Sequence, residues 1–193
     1  MCTPAGNPGD LDANKQTQTR ERQVPKNMSR SKTLPVGHGL PADEKVLACL
    51  GRIALRHGQL DNQLRMAIKD LTGVSKEEAL DATVRDGSRQ LRERVLKLSK
   101  AKLGDGAAYV KLQSLLHRAA RVTDKRNELF HSVWGTELDG EPMIRNDDHS
   151  FVAAPSAGEL TEIGHELEII SDELLSARHG GFLQTALAAR PMR

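Results

Sequence analysis

Aromatic side chains are scarce in this chain: one Trp, one Tyr and three Phe among 193 residues, 3% in all. Tyr109, Phe130, Trp134, Phe151 and Phe182 are too few and too scattered to form a base-stacking platform, which argues against RRM-like and OB-like single-strand readers. Cysteine is scarcer still. Cys2 falls in a Pro- and Gly-rich terminus and Cys49 in an apolar helical run, so neither a disulfide framework nor a Cys-rich zinc site is available, and a reducing cytoplasm is the expected home. No apolar run approaches the roughly 18 residues of a membrane span, and the N-terminus lacks the apolar stretch of a secretory signal, so a soluble protein without a membrane partner is expected. Charge of one sign is also lacking. The 28 Lys and Arg against 26 Asp and Glu leave +2, without the basic excess of a dedicated duplex-DNA binder. Strand–helix alternation, a Gly-rich phosphate loop and an internal repeat are all missing, which disfavours Rossmann, P-loop and solenoid architectures.

What the sequence does carry is helical periodicity. Residues 1–40 hold Pro4, Pro8, Pro25 and Pro35, several Gly and a Gln/Thr/Asn-rich stretch with almost no periodic apolar positions, and are expected to form a disordered tail. Lys15, Arg20, Arg22, Lys26, Arg30 and Lys32 there oppose only Asp10, Asp12 and Glu21, so the positive charge of the chain resides in the tail. Such an arm either adds salt-sensitive affinity for nucleic acid or is a solvated leader.

From Asp43 onward Val46, Leu50, Ile53, Leu60, Leu64, Ile68 and Leu71 fall at helical spacing, with His57 filling the phase between Ile53 and Leu60, and Gly73 stops the helix. Ser75 and Glu78 have capping-box spacing for a short helix through about Ala82, and Asp86-Gly87-Ser88 breaks the chain before Leu91, Val95 and Leu98 mark a helix to Gly104. Asp105 is expected to cap a second long helix carrying Leu112, Leu115, Leu116, Ala119, Val122, Leu129 and Val133, stopped by Gly135. Thr136 to Ile144 contains an Asp139-Gly140 turn and predicts a two-stranded hairpin that Pro142 restricts to an edge. Ser156 and Glu159 open a last helix through Leu160, Ile163, Leu167, Ile170, Leu174 and Phe182, with a break at Gly180-Gly181. The expected fold is an all-α helical bundle over residues 41–189 with a small β-hairpin insert and a disordered N-terminal tail.

Candidate chemistry concentrates between Thr123 and Gly135. On a 3.6-residue period Asp124, Asn127, His131 and Trp134 share one face, whereas Arg126 lies roughly 140° from His131, in phase with Val122 and Leu129. A guanidinium on that apolar stripe must snorkel or find a partner. Trp134 and Phe130 suit a core or an interface. His57 and Asp61 lie one turn apart on the first long helix, as a packed or solvent-bridged pair, and His57 could line the same cleft. Asp147, Asp148 and His149 read as a solvated polar loop, and His117, His165 and His179 lack neighbours to complete a ligand set, so neither a metal nor a cofactor is expected.

Arg126-Asn127-Glu128-Leu129-Phe130-His131, near a helix end, resembles the motif of the HEPN family of all-helical domains, whose ribonuclease members carry an arginine, a polar residue often asparagine, a short spacer and a histidine. The architecture expected for about residues 42–188 suits that family, and these six residues carry the motif. Arg52 and His57 repeat the spacing, but Ile53 stands second and the pair lies inside an uninterrupted helix, so the repeat is coincidental. The resemblance implies a metal-independent endoribonuclease of a toxin or host-defence type, in which the substrate's 2′-hydroxyl attacks its own neighbouring phosphate. His131 would be its general base or acid, Arg126 would stabilise the phosphorane, and Asn127 would orient His131 or a phosphate oxygen. Trp134, His57 and Lys125 are the further candidates for contact with RNA. The resemblance also implies a homodimer that brings two motifs into one cleft, and an antitoxin protein as partner. The alternative is a non-catalytic helical dimerisation module whose basic tail binds nucleic acid or an acidic partner.

Overall fold

The computed structural model describes residues 37–38, 41, 43–136, 142–145 and 150–189. Helix dominates, as the apolar periodicity requires. Helix α1 (Glu44–Thr72) starts where the Asp43 carboxylate accepts the Lys45 amide at 2.7 Å, and it stops where Gly73 takes a left-handed φ of 76° and returns its N–H to the Lys69 carbonyl. Its buried stripe runs Cys49, Ile53, His57, Leu60, Leu64, Ile68 and Leu71, so the histidine does occupy the phase that an apolar residue would fill. Helix α2 (Lys76–Thr83) opens with the Ser75–Glu78 capping box and α5 (Ala157–Arg178) with the Ser156–Glu159 box, both as the spacing predicts. Helix α3 (Ser88–Leu103) follows Gly87, whose N–H is accepted by the Gln90 side chain at 2.7 Å.

Helix α4 (Ala107–His131) departs from expectation at both ends. Gly106, not Asp105, is its N-cap, and Asp105 instead pairs with Lys100. At the far end the helix closes at His131, four residues before the expected stop at Gly135. Val133–Thr136 forms a strand, β2, paired antiparallel with β3 (Pro142–Arg145) so that Val133 faces Arg145 and Trp134 faces Ile144. β-Branched and aromatic residues gain more from a half-buried pleated surface than from another helical turn. The Leu129 carbonyl, deprived of its helical donor by this exit, accepts the Trp134 indole N–H at 2.9 Å.

The sheet is larger than a hairpin. Gly37–His38 (β1) pairs with β2, Phe151–Ala153 (β4) pairs with β3, and the order β1-β2-β3-β4 is antiparallel throughout. Residues 37 and 38, assigned to a disordered tail, belong to the sheet; the rest of that tail segment, residues 1–36 and 39–40, lies outside the described residues. Strand β3 is interior, with Pro142 at its first residue, the position of an interior strand at which proline is tolerated, and the Pro142 carbonyl accepts the Ala154 amide at 3.0 Å. The Asp139-Gly140 turn and the Asp147–His149 loop also lie outside the described residues.

Helix α1 packs along α5 and against α3; α3 and α5 both pack on α4. Ile53, Leu60, Leu64 and Ile68 of α1, Leu91 of α3, Leu112 and Leu116 of α4 and Leu160, Leu167, Ile170 and Leu174 of α5 are at most 1–2% exposed and form one core. The last helix, α6 (Phe182–Ala188), turns away at Gly180-Gly181 and buries Leu183. Among the described residues no helix is long and apolar enough to cross a membrane, and no cluster of three His, Cys, Asp or Glu side chains is placed to hold a metal ion.

Candidate functional site

Helices α1, α3 and α4 bring a group of polar side chains together within this apolar packing. Arg126, near the end of α4, is partly buried, as its place on the apolar stripe dictates. Its Nη1 donates to the Asn127 side-chain oxygen at 3.1 Å, and its guanidinium carbon lies 4.3 Å from the centre of the Phe130 ring. Nε is enclosed and without a hydrogen-bond partner, and no carboxylate among the described residues forms an ion pair with this arginine. Asn127 is thus a partner of Arg126 within the folded chain.

His131 is the last residue of α4. It is exposed and makes no hydrogen bond or ion pair with the described residues. Its azimuth separates it from Arg126 as the helical period predicts. Trp134 does not share the face of Asp124, Asn127 and His131, because the chain has already left the helix; its ring packs against the core from β2. Lys125 stands on the outside, 3.6 Å from the Glu166 carboxylate of α5.

A further group of polar side chains, in electrostatic range of Arg126, comes from elsewhere in the sequence. His57, 8% exposed, lies with Nε2 3.2 Å from Ser88 Oγ, and that hydroxyl donates to Asp61 Oδ1 at 2.6 Å. With its one proton committed to Asp61, Ser88 can only accept from His57, which selects the Nε2–H tautomer and leaves Nδ1 as a lone pair 3.9 Å from Asp61 Oδ2. The order is imidazole to hydroxyl to carboxylate. That is the reverse of the polarity a nucleophilic serine needs. The His57–Asp61 pair read from the sequence is therefore bridged by a serine.

Arg92, one helical turn after Ser88 on α3, is 9% exposed and donates to Thr123 Oγ1 of α4 at 3.2 Å, while Thr123 donates to the Ala119 carbonyl at 2.7 Å. Helix α3 thus bridges the cluster, Ser88 reaching α1 and Arg92 reaching α4. Burial lowers the His57 pKa below its ordinary value; Asp61 opposes this, and the Arg126 and Arg92 guanidiniums add to it. Burial also pulls the Arg92 guanidinium below its usual range, against the attraction of Asp124, Asp61 and Glu93.

Ser88, Arg92 and Thr123 are not candidate site residues on the sequence alone. Arg92 carried the same signal as Arg126, a guanidinium in phase with the buried positions Val95, Ser99 and Leu103 of its helix. For Ser88 no sequence signal exists, since only the packing of α3 on α1 places it against His57. Comparison of the chain with protein-family models, with curated proteins and with solved structures gives no match.

Proposed function

We propose that this protein is a HEPN-like, metal-independent endoribonuclease that works in the cytoplasm in a toxin or host-defence role, checked by an antitoxin protein. The observation that carries the reading is Arg126: a partly buried guanidinium whose only hydrogen-bond partner among the described residues is the neutral Asn127, with Nε unpartnered, five residues before an exposed histidine that ends the same helix. An arginine kept for structure alone would be expected to meet a carboxylate. In the reaction the RNA 2′-oxygen bonds to the adjacent phosphorus and the bond from phosphorus to the 5′-oxygen breaks. His131 takes the 2′-hydroxyl proton or supplies the proton to the leaving oxygen, and Arg126 stabilises the charge that gathers on the phosphorane oxygens. The products are a 2′,3′-cyclic phosphate and a 5′-hydroxyl.

The divergent directions of Arg126 and His131 support a homodimer in which each site takes its arginine from one copy and its histidine from the other. Two measurements test this. Purified protein incubated with mixed RNA in EDTA is expected to generate 2′,3′-cyclic phosphate ends, and His131→Ala to abolish them without loss of fold; intact RNA with the wild type would leave a binding module. Mixing the inactive Arg126→Ala and His131→Ala variants is expected to restore about a quarter of wild-type activity, because half the dimers are mixed and each of those holds one complete site. No rescue would confine the site to a single copy.

A further inference from the structure

We infer that Arg92 and Arg126, with the His57–Ser88 pair beside them, form a binding site for a phosphate oxyanion; on the ribonuclease reading above, its occupant is the phosphodiester at which RNA is cut. His57, Ser88 and Arg92 thereby join the six-residue motif as parts of the substrate site.

Two guanidiniums lie in or at the edge of the helical core, and the side chains among the described residues that accept from them, Thr123 Oγ1 and Asn127 Oδ1, are both neutral. Removing a cation from water without an ion pair is costly, and fully buried cations ordinarily have a carboxylate in contact. This fold supplies such a pair elsewhere: Arg178, 7% exposed, donates to the Asp70 carboxylate at 2.7 Å and to Gln63 at 2.7 Å. At the α1–α3–α4 cluster the carboxylates are engaged otherwise. Asp61 accepts from Ser88 and faces His57, Asp124 is exposed, and neither is within ion-pair distance of Arg92 or Arg126. The arginines match an anion that arrives from outside.

Geometry specifies the anion. Asn127 occupies the Nη1 side of the Arg126 guanidinium and Phe130 stacks near its face, while Nε is enclosed and lacks an acceptor, so a phosphate must reach this guanidinium from its Nη2 side and satisfy Nε by a turn of the side chain. Arg92 approaches from α3, and its place is fixed by Thr123, whose own proton is spent on the α4 backbone. His57 supplies the adjustable charge. Its unprotonated Nδ1 is the nitrogen that faces Asp61, so an anion that offsets Arg92 and Arg126 favours protonation there, with Asp61 as counter-ion and Ser88 holding the ring. Two fixed cations and one inducible cation suit a phosphate group whose charge grows in a transition state better than a carboxylate of constant charge.

The test uses the whole 193-residue chain, inorganic phosphate as probe and chloride at the same ionic strength as comparator. Phosphate is expected to raise the thermal midpoint saturably and to move the His57 titration, followed by the NMR of its ring, upward by about one unit; chloride does neither. Arg92→Gln and Arg126→Gln are each expected to weaken phosphate binding about tenfold or more, whereas Arg89→Gln, which removes an exposed charge from the same helix, leaves it unchanged. Equal responses to phosphate and chloride, or wild-type affinity in Arg92→Gln, would overturn the site. Should Arg92→Gln fail to fold, a His57 titration in the wild type that saturating phosphate does not move overturns it alone. Phosphate bound normally by a protein that cuts no RNA would sink the ribonuclease reading and keep the site. RNA cut as well by Arg92→Gln as by wild type would do the reverse.

Discussion

A single imidazole shows how far burial reshapes chemistry in this protein. His57 occupies a position on α1 where the helical period calls for an apolar side chain, and it is kept there by Ser88 and Asp61. Desolvation and two nearby arginines outweigh the attraction of Asp61, so its folded pKa lies below that of the unfolded chain, near 6.5. Between those two values the unfolded chain binds more protons than the folded one, and stability therefore rises with pH through that window and is flat above it. Urea unfolding followed from pH 7.5 down to 5 is expected to show stability falling once the pH drops below about 6.5. His57→Gln should flatten that fall. An equally steep decline in the variant would place the acid sensitivity on other groups. At the motif the residue scale is just as decisive, because Asn127 is committed to Arg126 and leaves His131 to solvent.

At the scale of the element, helix ends decide what each segment presents. Local signals set most of them: the Ser75–Glu78 and Ser156–Glu159 boxes, the Asp43 cap and the left-handed Gly73 all lie where composition and spacing put them. The C-terminus of α4 is set by partners distant in sequence. Pairing with β3 draws Val133 and Trp134 into the sheet, and the indole returns to cap Leu129. Between α5 and α6 two adjacent glycines serve different needs. Gly180 has a φ of 86° with open space around it, so Gly180→Ala is expected to cost about 1 kcal/mol in backbone strain. A Cβ on Gly181 would run into the Ser176 carbonyl and the Ala177 backbone, so Gly181→Ala is expected to cost about 1–3 kcal/mol by overpacking. Chemical denaturation of the two variants checks the order; a larger loss at Gly180 would contradict it.

Across the whole molecule, charge and core are distributed unequally along the chain. The basic excess falls within residues 1–40, while the described helices build the core and hold the arginine cluster. If the N-terminal segment adds affinity for RNA, replacing Lys15, Arg20, Arg22, Lys26, Arg30 and Lys32 with Gln in the full chain should make binding less sensitive to salt, the slope shrinking by about 0.7 for each phosphate that the arm no longer neutralises. Filter binding between 50 and 200 mM salt, roughly the range over which phosphate neutralisation dominates, measures it; an unchanged slope would assign phosphate binding to the helical domain. The mainly helical class, nearly every helix start, the stops at Gly73 and Gly104 and the apolar stripe of each long helix were legible in the residues alone, because capping and amphipathic periodicity are local and repeat many times. The sequence also placed Arg126 on a buried stripe, since a helical azimuth follows from spacing alone. Tertiary packing was needed to set the end of α4 at His131, to begin an interior strand at Pro142, to bring residues 37 and 38 into the sheet, and to join Ser88 to His57 and Arg92 to Thr123 one turn before Arg126. Strand pairing and helix–helix packing are fixed by partners tens of residues apart, and no local pattern encodes which of them will meet.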